Sequence, residues 1–73
     1  MYYLYILKNL KTDQYYIGYT SNLERRIEAH KRKKDVELIY YEAFKGESQA
    51  RKRELRLKQY GSAWRELRKR IEP

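Results

Sequence analysis

The first apolar run, Tyr2-Tyr3-Leu4-Tyr5-Ile6-Leu7, has no polar alternation. It predicts a strand covered on both faces, and therefore the central strand of its sheet. Lys8 ends it, and Asn9-Leu10-Lys11-Thr12-Asp13-Gln14 leads to a second strand-like run, Tyr15 to Tyr19. Asn, Thr and Asp favour a turn there, so the two runs predict an antiparallel hairpin. No two-residue tight-turn signal fixes its register. Beyond it, Ser21-Asn22-Leu23-Glu24 matches a capping box with Ser21 as the cap of a helix running to about Lys33. At about 100° per residue, Leu23, Arg26, Ile27 and His30 share one face and Arg25 points nearly opposite, so Arg26 is the arginine expected to face inward.

Leu38 to Phe44 predicts a third strand, broken by Lys45-Gly46. Glu47 to Tyr60 carries strong helix formers, with an acidic start and Gly61 as the expected stop. On that helix Ala50, Glu54 and Leu57 fall on one face, so a carboxylate interrupts its apolar stripe. Ser62 is the expected cap of a last helix that gathers Trp64, Leu67 and Ile71 on one side and turns Arg65, Arg68, Lys69 and Arg70 to solvent. The order β-β-α-β-α-α predicts one α+β domain over residues 1–73, a small three-stranded antiparallel sheet flanked by helices.

Length and composition narrow the partners. A chain of 73 residues with Cys 0 buries only about 60% of its unfolded surface and has neither disulfide nor thiolate metal site to staple it. The opening segment lacks a basic leader and is shorter than the ~18 apolar residues of a spanning helix, so a cytoplasmic chain without a membrane partner is expected. The 18 Lys and Arg against 10 Asp and Glu leave a net charge of +8, most of it beyond residue 45. That excess attracts polyanions, chiefly nucleic acid.

Four kinds of polar group face inward: Arg26, His30, Glu54 and the hydroxyls of strand tyrosines. A thin core holds such groups only when they are paired or functional. Glu54 could pair with Arg26, and His30 could be a packing histidine. Together, however, they are the parts of phosphodiester hydrolysis. A Glu holds a hard divalent cation, an Arg neutralises phosphate charge, and a Tyr or His takes a proton from water. Arg51, Lys52, Arg53, Arg56 and Lys58 read as a solvated helix face available to phosphates.

Tyr3-Leu4-Tyr5, Tyr16-Ile17-Gly18, Arg26, His30 and Glu54 resemble the motifs of the GIY-YIG nuclease superfamily, most of all its small stand-alone bacterial members. The resemblance covers nearly the whole chain and is strongest from Tyr16 through Arg26 to His30. It implies that Tyr5 and Tyr16 line the site, either one serving as the base. It implies further that Arg26 stabilises the scissile phosphate, that His30 assists, and that Glu54 holds a single Mg²⁺ or Mn²⁺. Gly18 would keep the strand end open to substrate, and Arg25, Arg53 and Lys58 would contact the nucleic acid. Tyr3 and Leu4 replace the Gly and Ile of the first signature, and no Asn follows the Glu54 helix, where several members place one.

The expected function is therefore metal-dependent hydrolysis of DNA or RNA phosphodiesters in nucleic-acid processing or repair. The alternative is a non-catalytic basic nucleic-acid-binding module. A homodimer or a protein partner is where specificity in so small a domain would reside.

Overall fold

A computed structural model describes residues 1–72. It contains β1 (Tyr2–Asn9), β2 (Tyr15–Thr20), α1 (Leu23–Lys33), β3 (Val36–Phe44), α2 (Glu47–Gln59) and α3 (Gly61–Ile71). The sheet order is β2-β1-β3 with both pairings antiparallel. The unalternated first run is thus the central strand, and Leu4, Tyr5, Ile6 and Leu7 are all buried. Pairing aligns Tyr5 with Gly18 and Leu7 with Tyr16, which supplies the register that the polar connection left open. In that connection the Asn9 side-chain oxygen accepts the backbone N–H groups of Lys11 and Thr12 at 2.9 and 3.1 Å. Asp13 takes the left-handed conformation, φ 61°, that Asp tolerates in turns.

Each face of the sheet has its own apolar layer. Tyr5, Leu7 and Val36 pack with Leu23 and Ile27 of α1 and with Leu38. Leu4 and Ile6 pack with Leu57 of α2, Leu67, Trp64 and Ile71 of α3, and Tyr15, Ile17 and Ile39 from the outer strands. Leu38 and Ile39 face opposite layers, as adjacent strand residues do, but β1 and β3 slip register between Ile6 and Leu7, Ile6 aligning with Tyr40 and Leu7 with Leu38. One extra residue on β3 inverts the alternation beyond it, so the neighbours Ile39 and Tyr40 both pack in the layer beneath α2 and α3.

Several boundaries differ from expectation. Helix α1 is capped by Asn22, whose side chain accepts the Arg25 N–H at 3.1 Å, and not by Ser21. The shift is set by Thr20, whose hydroxyl accepts the Asn22 N–H at 3.1 Å; Ser and Asn cap about equally well, so propensity could not separate them. Strand β3 starts two residues earlier than Leu38. Gly61 is not a stop: Tyr60, extended at φ −112°, is the single break between α2 and α3. Its carbonyl accepts the N–H groups of Ala63 and Trp64, so Tyr60 is the cap and Ser62 sits in the first turn.

Candidate active site

The site begins with a missing side chain. Gly18 lies across from Tyr5, and a Cβ at position 18 would stand 2.6 Å from the Tyr5 hydroxyl oxygen, 2.7 Å from its Cζ and 3.0 Å from Cε1 of Tyr16. The space that Gly18 leaves, expected to stay open for substrate, is taken up by the Tyr5 phenol. With strand periodicity of two, Tyr5, Leu7, Tyr16 and Gly18 share the α1 side of the sheet, and His30 reaches them from the third turn of that helix.

The Tyr5 hydroxyl is 3.0 Å from His30 Nε2. The Tyr16 and His30 rings lie 4.9 Å apart and the two tyrosine rings 6.1 Å apart. Burial pushes the Tyr5 phenol up to about 12, the Tyr16 hydroxyl adding to the rise and the Arg26 guanidinium working against it. Burial also lowers His30 below the ordinary imidazole value, helped by the positive charge of Arg26, then Lys34 and Lys33. Both partners are therefore neutral near pH 7, so their contact is a phenol–imidazole hydrogen bond and not an ion pair.

A cleft of about 400 Å³ opens over these groups along β2, the edge strand. Tyr5, Tyr16, Gly18 and Arg26 line it from the α1 side, and Glu54 and Glu47 line it from α2. Arg26, expected to face inward, is exposed instead: its face of α1 borders the open cleft and not the core, so the guanidinium reaches both the Tyr5 hydroxyl and the cleft. Glu54 is not paired with Arg26. Its carboxylate meets Lys58 one turn along at 3.5 Å, and that ammonium also lies 5.9 Å from the centre of the Tyr16 ring. Lys58 thus meets two residues that line the cleft, Glu54 and Tyr16, and is not merely part of a solvated face. Arg25 is exposed on α1.

Arg53 corrects the reading of a solvated helix face. Its Nε and Nη2 donate to the two carboxylate oxygens of Glu42 on β3 at 2.9 and 3.0 Å, and the Tyr40 hydroxyl donates to the same carboxylate at 2.6 Å. Burial works to raise Glu42, but the bonds from Arg53 and Tyr40 outweigh it and hold the carboxyl below its usual range. The charge-assisted pair holds α2 against β3 one residue before Glu54. Nothing in the local pattern around Glu42 announced it, because the partners lie eleven residues apart on different elements. Glu47 was legible only as an acidic helix start, although its seven-residue spacing from Glu54 puts both carboxylates on one side of α2.

Among the described residues, no cluster of three or more His, Cys, Asp and Glu side chains forms a protein-only metal cage. The cleft nevertheless suits a hard divalent cation. Mg²⁺ commonly takes one or two carboxylates and fills its remaining positions with water and substrate phosphate oxygens, and the cleft offers two carboxylates beside an open face. Among the described residues, no helix is long and apolar enough to cross a membrane.

A strand-borne tyrosine pair, a helix-borne Arg and His, and a carboxylate from a second helix meet at one sheet edge. The profile of the GIY-YIG catalytic domain matches residues 1–68: the chain belongs to the GIY-YIG nuclease family. It is 39% identical to a UPF0213 protein of Clostridium perfringens, the match covering 80% of this chain and 71% of the relative. A UPF0213 protein of Staphylococcus haemolyticus is 37% identical, with 80% of each chain covered. No solved structure gives a significant match.

Proposed function

We propose that the chain is a nuclease that hydrolyses phosphodiester bonds of DNA, with RNA as the other candidate substrate, in nucleic-acid processing or repair. The observation that carries this reading is the convergence of Tyr5, Tyr16, Arg26 and Glu54 on one cleft, with His30 bonded behind Tyr5. The exposed Arg26 guanidinium binds the non-bridging oxygens of the scissile phosphate and neutralises the charge that grows on them. Water attacks in line with the leaving oxygen. Its proton passes to the Tyr5 oxygen as the Tyr5 proton moves to His30 Nε2, which accepts it in the neutral imidazole tautomer that carries its proton on Nδ1. As the new P–O bond forms, the ester P–O bond breaks, and the open cleft lets solvent protonate the leaving alkoxide.

Glu54, with Glu47 beside it, would hold Mg²⁺ or Mn²⁺, and such an ion supplies Lewis-acid polarisation of a phosphoryl oxygen. The ion pair of Lys58 with Glu54 favours a second reading, a module that binds nucleic acid without cutting it, because that ammonium must yield for a cation to enter. Labelled single-stranded, duplex and branched DNA and RNA, incubated with Mg²⁺, Mn²⁺ or chelator, decide between them. Metal-dependent cleavage should fall at least ~100-fold in Arg26→Ala and in Glu54→Ala, while binding by Arg26→Ala largely persists. Undiminished cleavage in folded Arg26→Ala would remove the assignment, and binding without cleavage under either metal would establish the module.

A further inference from the structure

The active cleft does not end at Tyr16. A hollow of about 170 Å³ lies beside it, lined by Tyr16, His30, Lys34 and Asn9, among others. Through Asn9, Lys34 and Val36 this hollow joins a larger concavity of about 740 Å³. Lys31, Arg32 and Lys33 line that concavity from the last turn of α1, Lys34 from its C-cap, and Lys11 from the β1–β2 loop; the acidic side chain there is Asp35. All five cations are exposed, and among the described residues none forms an ion pair.

Basic residues in the last turn of a helix complement its dipole, which accounts for Lys31 to Lys33 as sequence. It does not account for Lys11, which approaches from a different element. Nor is that approach accidental, because the loop is fixed. Asn9 accepts the N–H groups of Lys11 and Thr12, and the Leu10 N–H donates to the Asp35 carbonyl at 2.9 Å, tying the loop to the α1–β3 connection. Five unpaired cations around a concave surface that opens into the cleft form an electrostatic channel.

We propose that this channel is a track for the sugar-phosphate backbone of the strand leading away from the scissile bond, passing from Arg26 by way of Lys34 to Arg32 and Lys11. The proposal rests on the nuclease reading of the cleft. Arg26 and Lys34 are eight helix positions apart, about 12 Å along the axis. One strand of a duplex advances 3.4 Å per nucleotide, so the track spans about three to four nucleotides on one side of the cut. The basic faces of α2 and α3 had stood out in the sequence; this track lies on α1 instead.

The test uses the double variant Lys11→Gln/Arg32→Gln, two exposed, unpaired residues outside the catalytic cleft. The control is Arg51→Gln/Lys52→Gln, which removes the same charge from the exposed side of α2. Binding of a fluorescent 12-base-pair DNA duplex is followed by anisotropy across a salt series. Cleavage is measured on duplexes with one, two, four or six nucleotides beyond the cut on each side. The first variant should lower the slope of log K against log salt by about 1.8, two phosphate contacts' worth for B-DNA, and the control by less. Its cleavage deficit should appear only once the flank on one side reaches about four nucleotides. An unchanged slope, an equal effect of the control, or a deficit independent of flank length would overturn the track. A slope change in a chain that cuts nothing would support the track and remove the nuclease reading; undiminished cleavage with an unchanged slope would do the reverse.

Discussion

Gly18 and Tyr5 show how a single missing Cβ shapes a site. The Tyr5 ring is fully buried and its hydroxyl bonded to His30, so it cannot swing away from a methyl group placed 2.6 Å from its oxygen. Gly18→Ala is therefore expected to cost about 1–3 kcal/mol in urea denaturation, as overpacking does, and to reduce cleavage by displacing the phenol. Adding Tyr5→Phe should recover only part of the stability, because Cζ remains 2.7 Å away. His30 carries the pH prediction. Burial first, then Arg26, Lys34 and Lys33, disfavour its charged form in the folded state. Its contribution to stability is thus complete above the unfolded value of about 6.5 and falls as pH drops below that, levelling off once the folded imidazole is protonated. NMR titration of the ring should give a midpoint below 6.5, and Lys34→Gln should move it upward; a midpoint at or above 6.5 would contradict the neutral acceptor.

At the level of elements, helix α2 is set by its ends and its sides. Leu57 anchors it in the core, the Gln49 side chain accepts the Gly46 N–H at 3.1 Å, and Arg53 fastens it to β3 through Glu42. Because Glu54 follows Arg53, the clamp also orients the carboxylate that lines the cleft. Arg53→Ala leaves Glu42 with Tyr40 alone and should cost about 1–3 kcal/mol, the range for stranding a half-buried hydrogen-bonded group. Cleavage should fall further than binding, because a displaced Glu54 acts on chemistry more than on phosphate capture. Urea titration together with kcat and KM checks both parts. The Glu42 carboxyl is held below its usual range, so the clamp's contribution is present above about pH 4.5 and lost as pH falls through the folded value. In the Arg53→Ala variant that acid-side loss should shrink.

The whole molecule is small, 30 × 28 × 19 Å, and must cover both faces of its sheet with three short helices. Its reserve is correspondingly slight, about 4–11 kcal/mol by the usual per-residue range. Leu4 is fully buried beneath α2 and α3, and truncating it to Ala should cost about 2–5 kcal/mol, a large share of that reserve. Circular dichroism during thermal melting should show a markedly lower midpoint for Leu4→Ala, whereas Leu55→Ala, at an exposed position, should melt like the parent. The same shallowness puts chemistry at the sheet edge. With no room for an enclosed pocket, the cleft is drawn from α1, β1, β2 and α2 together and opens to a long substrate.

The sequence by itself determined the element order, the central position of the first strand and the helix faces that point to the core. Those properties are local: an unalternated apolar run, or a spacing of three and four, declares its burial without knowing its neighbours. It also put Glu54 on the apolar face of its helix and set Arg26 on another side of α1 from Arg25, although Arg26 lines an open cleft and is exposed, not turned into the core. Only the tertiary structure decided which cap serves α1, how Tyr60 divides α2 from α3, and which layer receives Leu38 and which Ile39. The Glu42–Arg53 clamp, the fit of Tyr5 over Gly18 and the meeting of Lys11 with the end of α1 belong to the same class. Each depends on strand register or on the approach of two elements far apart in the chain, and a one-residue slip in β3 is enough to exchange the faces.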